Sequence, residues 1–174
     1  MGTPDAGQAQ VSVRVALGDG ATVATGLSVL DHLLGELART ARLQLSLEAA
    51  PGAVDQAVAS AGRSMGEGIA PLLRAPGATG YGFAWLPVDE ALAGAVLEVS
   101  DRPLVASNVD FSGVGGLRSD VVAVFLEELA AGAGVNVHIR VLEGKDPQNV
   151  LGAIFKALGA AIGQACRTPG GGDP

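Results

Sequence analysis

Residues 135–159 read VNVHIRVLEGKDPQNVLGAIFKALG, and two periodicities meet inside them. Val135, Val137 and Ile139 alternate with Asn136, His138 and Arg140, the spacing of a strand with one buried face. After the Gly144-Lys145 turn, Asp146 is a natural N-cap and Pro147 suits the first helical position, where its missing N–H costs nothing. Val150, Leu151, Ile154, Phe155 and Leu158 then recur at helical spacing and predict a core-facing helix. A strand running straight into a capped helix is the unit from which the rest of the chain is read. Its one odd feature is the first helical turn, which presents two neutral amides, Gln148 and Asn149, side by side.

The same unit recurs upstream. LSVLDHLLGELART (27–40) predicts a helix, LQLSLEA (43–49) a strand, and 54–73 a second helix. In the second half SDVVAVFLEELAAG (119–132) predicts a helix, with Ser119 as its cap, ahead of the strand at 135–143. Leu37-Ala38 overlays Leu129-Ala130, and Leu43, Leu45 and Leu47 overlay Val135, Val137 and Ile139. Ala61-Gly62 overlays Leu158-Gly159 once an insertion at Gly144–Pro147 is allowed. Strands are also expected at 11–17, before a Gly-Asp-Gly turn, and at 104–111, before the glycine-rich GVGG at 113–116. The expectation is an α+β fold of duplicated β/α half-domains, with sheets on one side and helix pairs on the other. The halves are placed at 11–95 and 96–167, with flexible termini at 1–10 and 168–174.

Composition bounds the rest. In 174 residues, 48% apolar and 17% charged, there is enough to bury a core, and with 3% aromatics that core rests on Ala, Val and Leu. Eleven basic against eighteen acidic residues give a net charge of −7, which argues against a nucleic-acid surface. A single cysteine, Cys166, excludes a disulfide framework and a thiolate zinc cluster. No apolar run is long enough to span a membrane, and the first ten residues lack the basic and apolar regions of a signal peptide, so a cytoplasmic location is expected.

Chemistry has few residues to rest on. There are two histidines, His32 on the first helix and His138 in mid-strand on the face turned from the core. Two imidazoles do not complete a three- or four-ligand metal site without carboxylates. No Gly-x-Ser-x-Gly elbow presents a serine, and GVGG lacks the spacing of a dinucleotide loop. Arg102 and Lys145 are loop cations of the kind that grips a phosphate or carboxylate.

Three segments together resemble the imidazoleglycerol-phosphate dehydratase family. VLDHLLGELART is similar to its Phe-Phe-Asp-His-Met-Leu helix. LPVDEALAGAVLEVSDRPLV is similar to its Pro-Met-Asp-Glu-Ala-Leu-Ala segment and the Ser-Gly-Arg-Pro that follows. AGAGVNVHIRVLEGKDPQNVLGAIFKALGAAI is similar to its Leu-His-Ile-Arg strand and Gly-Lys-Asn-x-His-His helix start. The match runs over about residues 11–166 in order. The resemblance implies the family's duplicated fold, in the class that includes the second domain of a small-subunit ribosomal protein. It also implies a homo-oligomer, trimeric or larger and up to a 24-mer. In the family it implies a two-manganese hydro-lyase that removes water from imidazole glycerol phosphate.

Carried over position by position, the resemblance predicts a loss. The first His-His-x-x-Glu cluster falls on Pro51, Gly52 and Asp55, and the second on Gln148, Asn149 and Gly152. Only His32 and His138 keep their imidazoles. The family's N-terminal acid falls near Gln8, and its C-terminal Ser-Thr-Lys-Gly loop has no counterpart in RTPGGGDP. Losing one ligand weakens a metal by orders of magnitude, so no bound Mn²⁺ and no other cofactor is expected. The expectation is a catalytically degenerate paralogue that binds a small phosphorylated ligand through Arg102 and Lys145, or co-assembles with a partner. The alternatives are an active dehydratase, and a metal-independent enzyme using His32 or His138 as its acid or base.

Overall fold

The structure, a computed structural model, describes residues 10–111, 117 and 119–170. In chain order these form β1 (Val11–Leu17), β2 (Ala21–Ala24), α1 (Ser28–Ala41), β3 (Leu43–Ala49) and α2 (Val54–Leu73). There follow β4 (Tyr81–Val88), β5 (Ala91–Val99), β6 (Leu104–Ser107), α3 (Ser119–Ala133), β7 (Val135–Glu143) and α4 (Pro147–Ala165). The GVGG stretch, Gln8 and the side chain of Ser119 lie outside the described residues.

One sheet has the order β1-β3-β2, the other β4-β5-β7-β6. In the first, β1 is antiparallel to β3 and β2 parallel to it, with Val13 opposite Leu47 and Val23 opposite Leu47. In the second, β5 is antiparallel to β7 and β6 parallel to it, with Val96 and Ala106 both opposite His138. The succession β1-β2-α1-β3-α2 therefore has its counterpart in β5-β6-α3-β7-α4. The duplication is one of topology as well as sequence, and β4 is an added edge strand. Residues 95 and 96, where the halves were expected to divide, are neighbours inside β5.

Within each half the sheet lies on one side and its two helices on the other. The halves then meet helix to helix, α1 against α4 and α2 against α3. Glycines on the second helix of each half make this approach possible. A Cβ on Gly62 would lie 2.7 Å from the Phe125 carbonyl oxygen, and one on Gly163 would lie 2.6 Å from that of Ala41. These gaps are below van der Waals contact, so the helix pairs pack backbone to backbone at these points. The inner sheet faces, Leu43, Leu45 and Leu47 on β3 and Val135, Val137 and Ile139 on β7, are buried as the alternation predicted. Phe125 and Phe155, 6.3 Å apart between ring centres, fill the space between α3 and α4.

The strand expected over 104–111 stops at Ser107. Asn108 turns its side chain into the ladder instead, accepting from the Val141 N–H at 2.9 Å and donating to the Val141 carbonyl at 3.1 Å. That amide occupies the partners a further strand residue would use. Three strands escaped the sequence reading. β2 is four residues long. β5 reads ALAGAVLEV, whose alanines suit a helix but here line the inner face, and β4 carries Gly82 and Pro87. Pro87 is tolerated because β4 lies at the sheet edge.

Candidate functional site

The turn into α4 is built by two carboxylates. Asp146 caps the helix, accepting from the backbone N–H of Gln148 at 2.8 Å and of Asn149 at 3.2 Å. Glu90, on the β4–β5 turn, accepts from the Asp146 N–H at 2.7 Å, the Lys145 N–H at 3.1 Å and the Asn149 side-chain amide at 2.8 Å. These donors, the Asp146 N–H foremost and the Asn149 amide next, pull the Glu90 carboxyl down to about 2. Asn149 is thus committed to holding the loop. Asp89 beside Glu90 takes a left-handed φ of 46°, which lets a two-residue turn join β4 to β5.

At the start of α1 another aspartate has a structural task. Asp31 accepts from the Thr25 backbone N–H at 2.8 Å and from its hydroxyl, tying β2 to the helix. The next residue, His32, faces a cavity of about 670 Å³ between α1, α4 and the end of β4. Its polar lining is Ser28, His32, Glu36, Asp89, Gln148, Asn149 and Lys156, and Gly152 leaves its floor without a side chain. Glu36 is bound to Arg39 at 2.7 Å, which holds its carboxyl below the ordinary range, with His32 and Lys156 adding to the effect. The Lys156 ammonium donates to the Pro87 carbonyl at 2.8 Å and so links α4 to β4.

Four of the expected positions therefore come together here: His32, Gln148, Asn149 and Gly152. The others do not. Pro51 and Gly52 lie in the exposed β3–α2 turn, and Asp55 in the first turn of α2. Asp55 lines a recess of only about 20 Å³ with Asp120 and Val124, between α2 and α3. In the duplication this recess is the counterpart of the large cavity, with Asp55 matching Gly152 and Val124 matching His32. His138 stands exposed on the outer face of the second sheet. Arg102 follows β5 and Lys145 follows β7, and these strands run antiparallel with Val99 opposite Val135. Within one chain the two cations therefore sit at opposite ends of the sheet.

The donor set does not fit a dimanganese centre. Among the described residues no three of His, Cys, Asp and Glu are grouped closely enough to hold a metal ion. The whole chain has two histidines and one cysteine, so no unplaced residue and no choice of register adds an imidazole. Amide side chains at 148 and 149 are poor substitutes for imidazole toward Mn²⁺. Cys166 adds nothing, because burial pushes its thiol up to about 11 and leaves it protonated. The roles of three residues of the site escaped the sequence reading. Glu36 lies one helical turn beyond His32 and Lys156 one turn beyond Gly152, spacing that puts each pair on one face. Glu90 had no local signal, since its partners are more than fifty residues away.

A sequence profile of imidazoleglycerol-phosphate dehydratase matches residues 25–162. The imidazoleglycerol-phosphate dehydratase of Clostridium botulinum (strain Kyoto / Type A2) is 35% identical over 149 residues, covering 82% of this chain and 76% of its own. That of Heliobacterium modesticaldum is 35% identical over 148 residues, covering 81% and 75%. The crystal structure of the Staphylococcus aureus imidazoleglycerol-phosphate dehydratase superposes with a TM-score of 0.83 at 26% identity, over 91% of this chain and 95% of that one. The Pyrococcus furiosus structure superposes with a TM-score of 0.81 at 24% identity, which speaks for the fold alone.

Proposed function

The chain belongs to the imidazoleglycerol-phosphate dehydratase family, and from that premise we propose that it is a non-catalytic member of it. In this reading the protein holds no Mn²⁺, assembles with copies of itself, and uses the α1–α4 cavity to hold a small phosphorylated ligand. The observation that carries it is the donor set of that cavity: one imidazole, two amides and a glycine where a metal centre wants imidazoles and a carboxylate. Proton abstraction from an imidazole ring system builds up negative charge that needs an electrophile. His32 with Glu36, already paired to Arg39, supplies none. Lys145, three residues before Gln148, is the candidate phosphate contact beside a cavity whose own lining cation is Lys156; Arg102 lies at the other end of the sheet within one chain.

A second reading stands beside it, that of an active hydro-lyase on imidazoleglycerol phosphate, because the relatives at 35% identity carry that name. One experiment separates the two. Protein purified without chelator is assayed for manganese and for turnover of imidazoleglycerol phosphate with Mn²⁺ added. We expect substoichiometric metal and no turnover above buffer. A Mn²⁺-dependent rate lost in His32→Ala overturns the non-catalytic reading. A metal-independent rate lost in His32→Ala or His138→Ala assigns altered chemistry to that histidine instead.

A further inference from the structure

The duplication is short by one strand. In the second half β4 pairs with β5 and closes that edge of the sheet, while among the described residues nothing stands beside its counterpart β1 in the first. Through their partners on β3 and β7, Val11, Val13 and Val15 match Ala93, Ala95 and Leu97. The latter three, next to β4, are at most 1% exposed, whereas the valines are only half-buried. The backbone is open as well. Gln10 accepts from the Ala50 N–H at 2.9 Å and Gly18 donates to the Arg42 carbonyl at 3.1 Å, so the even-numbered residues bond to β3. By the alternation of an antiparallel ladder, the N–H and C=O groups of Val11, Val13, Val15 and Leu17 point to the empty edge. An edge seven residues long, its register unbroken by a bulge, is a template for a further strand.

A cleft of about 720 Å³ opens beside this edge, and its lining includes Val11, Ser60, Arg63, Ser64, Glu67 and Glu128. In the second half α4 holds the added strand by side-chain bonds to its backbone. Lys156 donates to the Pro87 carbonyl at 2.8 Å, and Gln164 accepts from the Phe83 N–H at 3.1 Å. On α2, Ser60, Arg63, Ser64 and Glu67 offer groups of the same kind.

We propose that the β1 edge binds an extended, basic segment of a partner protein as a fourth strand of the first sheet. Its backbone pairs with Val11, Val13 and Val15, and its inward side chains rest on the polar face of α2. Two observations define the occupant. First, α2 already lies under the edge, since a Cβ on Gly68 would meet the Val15 side chain at 2.9 Å. Paired strands are about 4.8 Å apart and packed helices roughly 8–10 Å, so a strand that brought its own helix would collide with α2. That excludes the β1 edge of a second copy, which carries its own α2, and leaves a bare extended segment. Second, Arg63 is bound to Glu128 at 2.8 Å, so the net charge of the lining falls on Glu67, in a chain of net charge −7. A basic segment complements it. The inference goes beyond the cavity reading above and does not rest on it.

Fluorescence anisotropy with the full chain tests it, the probe being the labelled peptide Val-Ser-Val-Lys-Val-Ser-Val. We expect saturable binding below about 1 mM, and roughly tenfold weaker binding when glutamate replaces the lysine. N-methylation of the odd or of the even residues of the peptide should abolish binding for one set and spare the other, the signature of a single paired edge. Glu67→Lys should reverse the charge preference. Val13→Pro removes an edge-facing N–H, which an edge strand tolerates, and should weaken binding with an unchanged far-UV spectrum. Should that variant lose its native spectrum, Glu67→Lys takes its place. Hydrogen exchange reads the edge directly, and binding should protect the amides of Val11, Val13 and Val15. Amides protected in the free chain at every concentration assign the edge to a segment of the same chain, and protection that grows with concentration assigns it to a second copy. Either result overturns the proposal. So does the absence of binding at about 1 mM peptide, or binding indifferent to Glu67→Lys and to both methylated sets.

Discussion

Glu90 is exposed, yet it receives three hydrogen bonds from the segment that leads into α4. Those bonds favour its ionised form and hold its carboxyl at about 2 against an ordinary 4.5. A carboxylate whose folded pKa is depressed stabilises the fold above its unfolded pKa, and that stability fades as pH falls toward the folded value. Glu90→Gln should therefore melt below the wild type by a constant margin above about pH 5, with the margin shrinking between pH 4.5 and 2. Circular dichroism melts at four or five pH values check this; a margin independent of pH down to 2 would remove the carboxylate from the account. At this scale the sequence was legible where a role is local. Asp146 and Pro147 announced a cap and a first turn, and the structure places both. Gln148 and Asn149 were legible only by resemblance, and the Asn149–Glu90 bond was not legible at all. It joins two turns fifty-nine residues apart.

Elements tell a similar story about range. Helices came through well because their apolar faces repeat over four or five turns, and α2 spans Val54–Leu73 as its pattern predicted. Strands of alanine and glycine did not, since β5 exposes too little contrast between its faces to be told from a helix. The helix contacts make a sharp pair of predictions from glycine. On α4, a Cβ at Gly159 would collide with the backbone carbonyl of Leu37 and the Thr40 hydroxyl, and Thr40 already donates to the Lys156 carbonyl at 2.8 Å. Neither helix can retreat without opening the core, so Gly159→Ala should cost roughly 2–3 kcal/mol. Gly35, in the middle of α1, meets nothing within 4 Å of an added Cβ. Gly35→Ala should stabilise by about 0.5–1 kcal/mol through helix propensity alone. Urea unfolding of the two variants reads both signs, and a Gly159→Ala protein as stable as the wild type would contradict the close α1–α4 packing.

On the scale of the whole molecule, the duplication produced two equivalent corners and the chain has treated them differently. The α1–α4 corner keeps His32 and an open cavity, while at the α2–α3 corner Val124 and Asp55 line a recess too small for a ligand. A site shared between copies would draw on both corners and on His138, yet each copy brings only two imidazoles to it. Metal should therefore leave stability untouched, and mass action makes the test quantitative. A site with a micromolar Kd would add about 4 kcal/mol at 1 mM free Mn²⁺. In a chain of this length each kcal/mol is worth roughly 2–4 °C of Tm, so such a site would raise the melting temperature by about 8–16 °C. We expect a shift within about 1 °C on adding 1 mM Mn²⁺, or on adding EDTA to the protein as purified, and no change in assembly mass in either case. A rise of several degrees that EDTA reverses would show that the remaining donors, pooled across copies, still close around a metal.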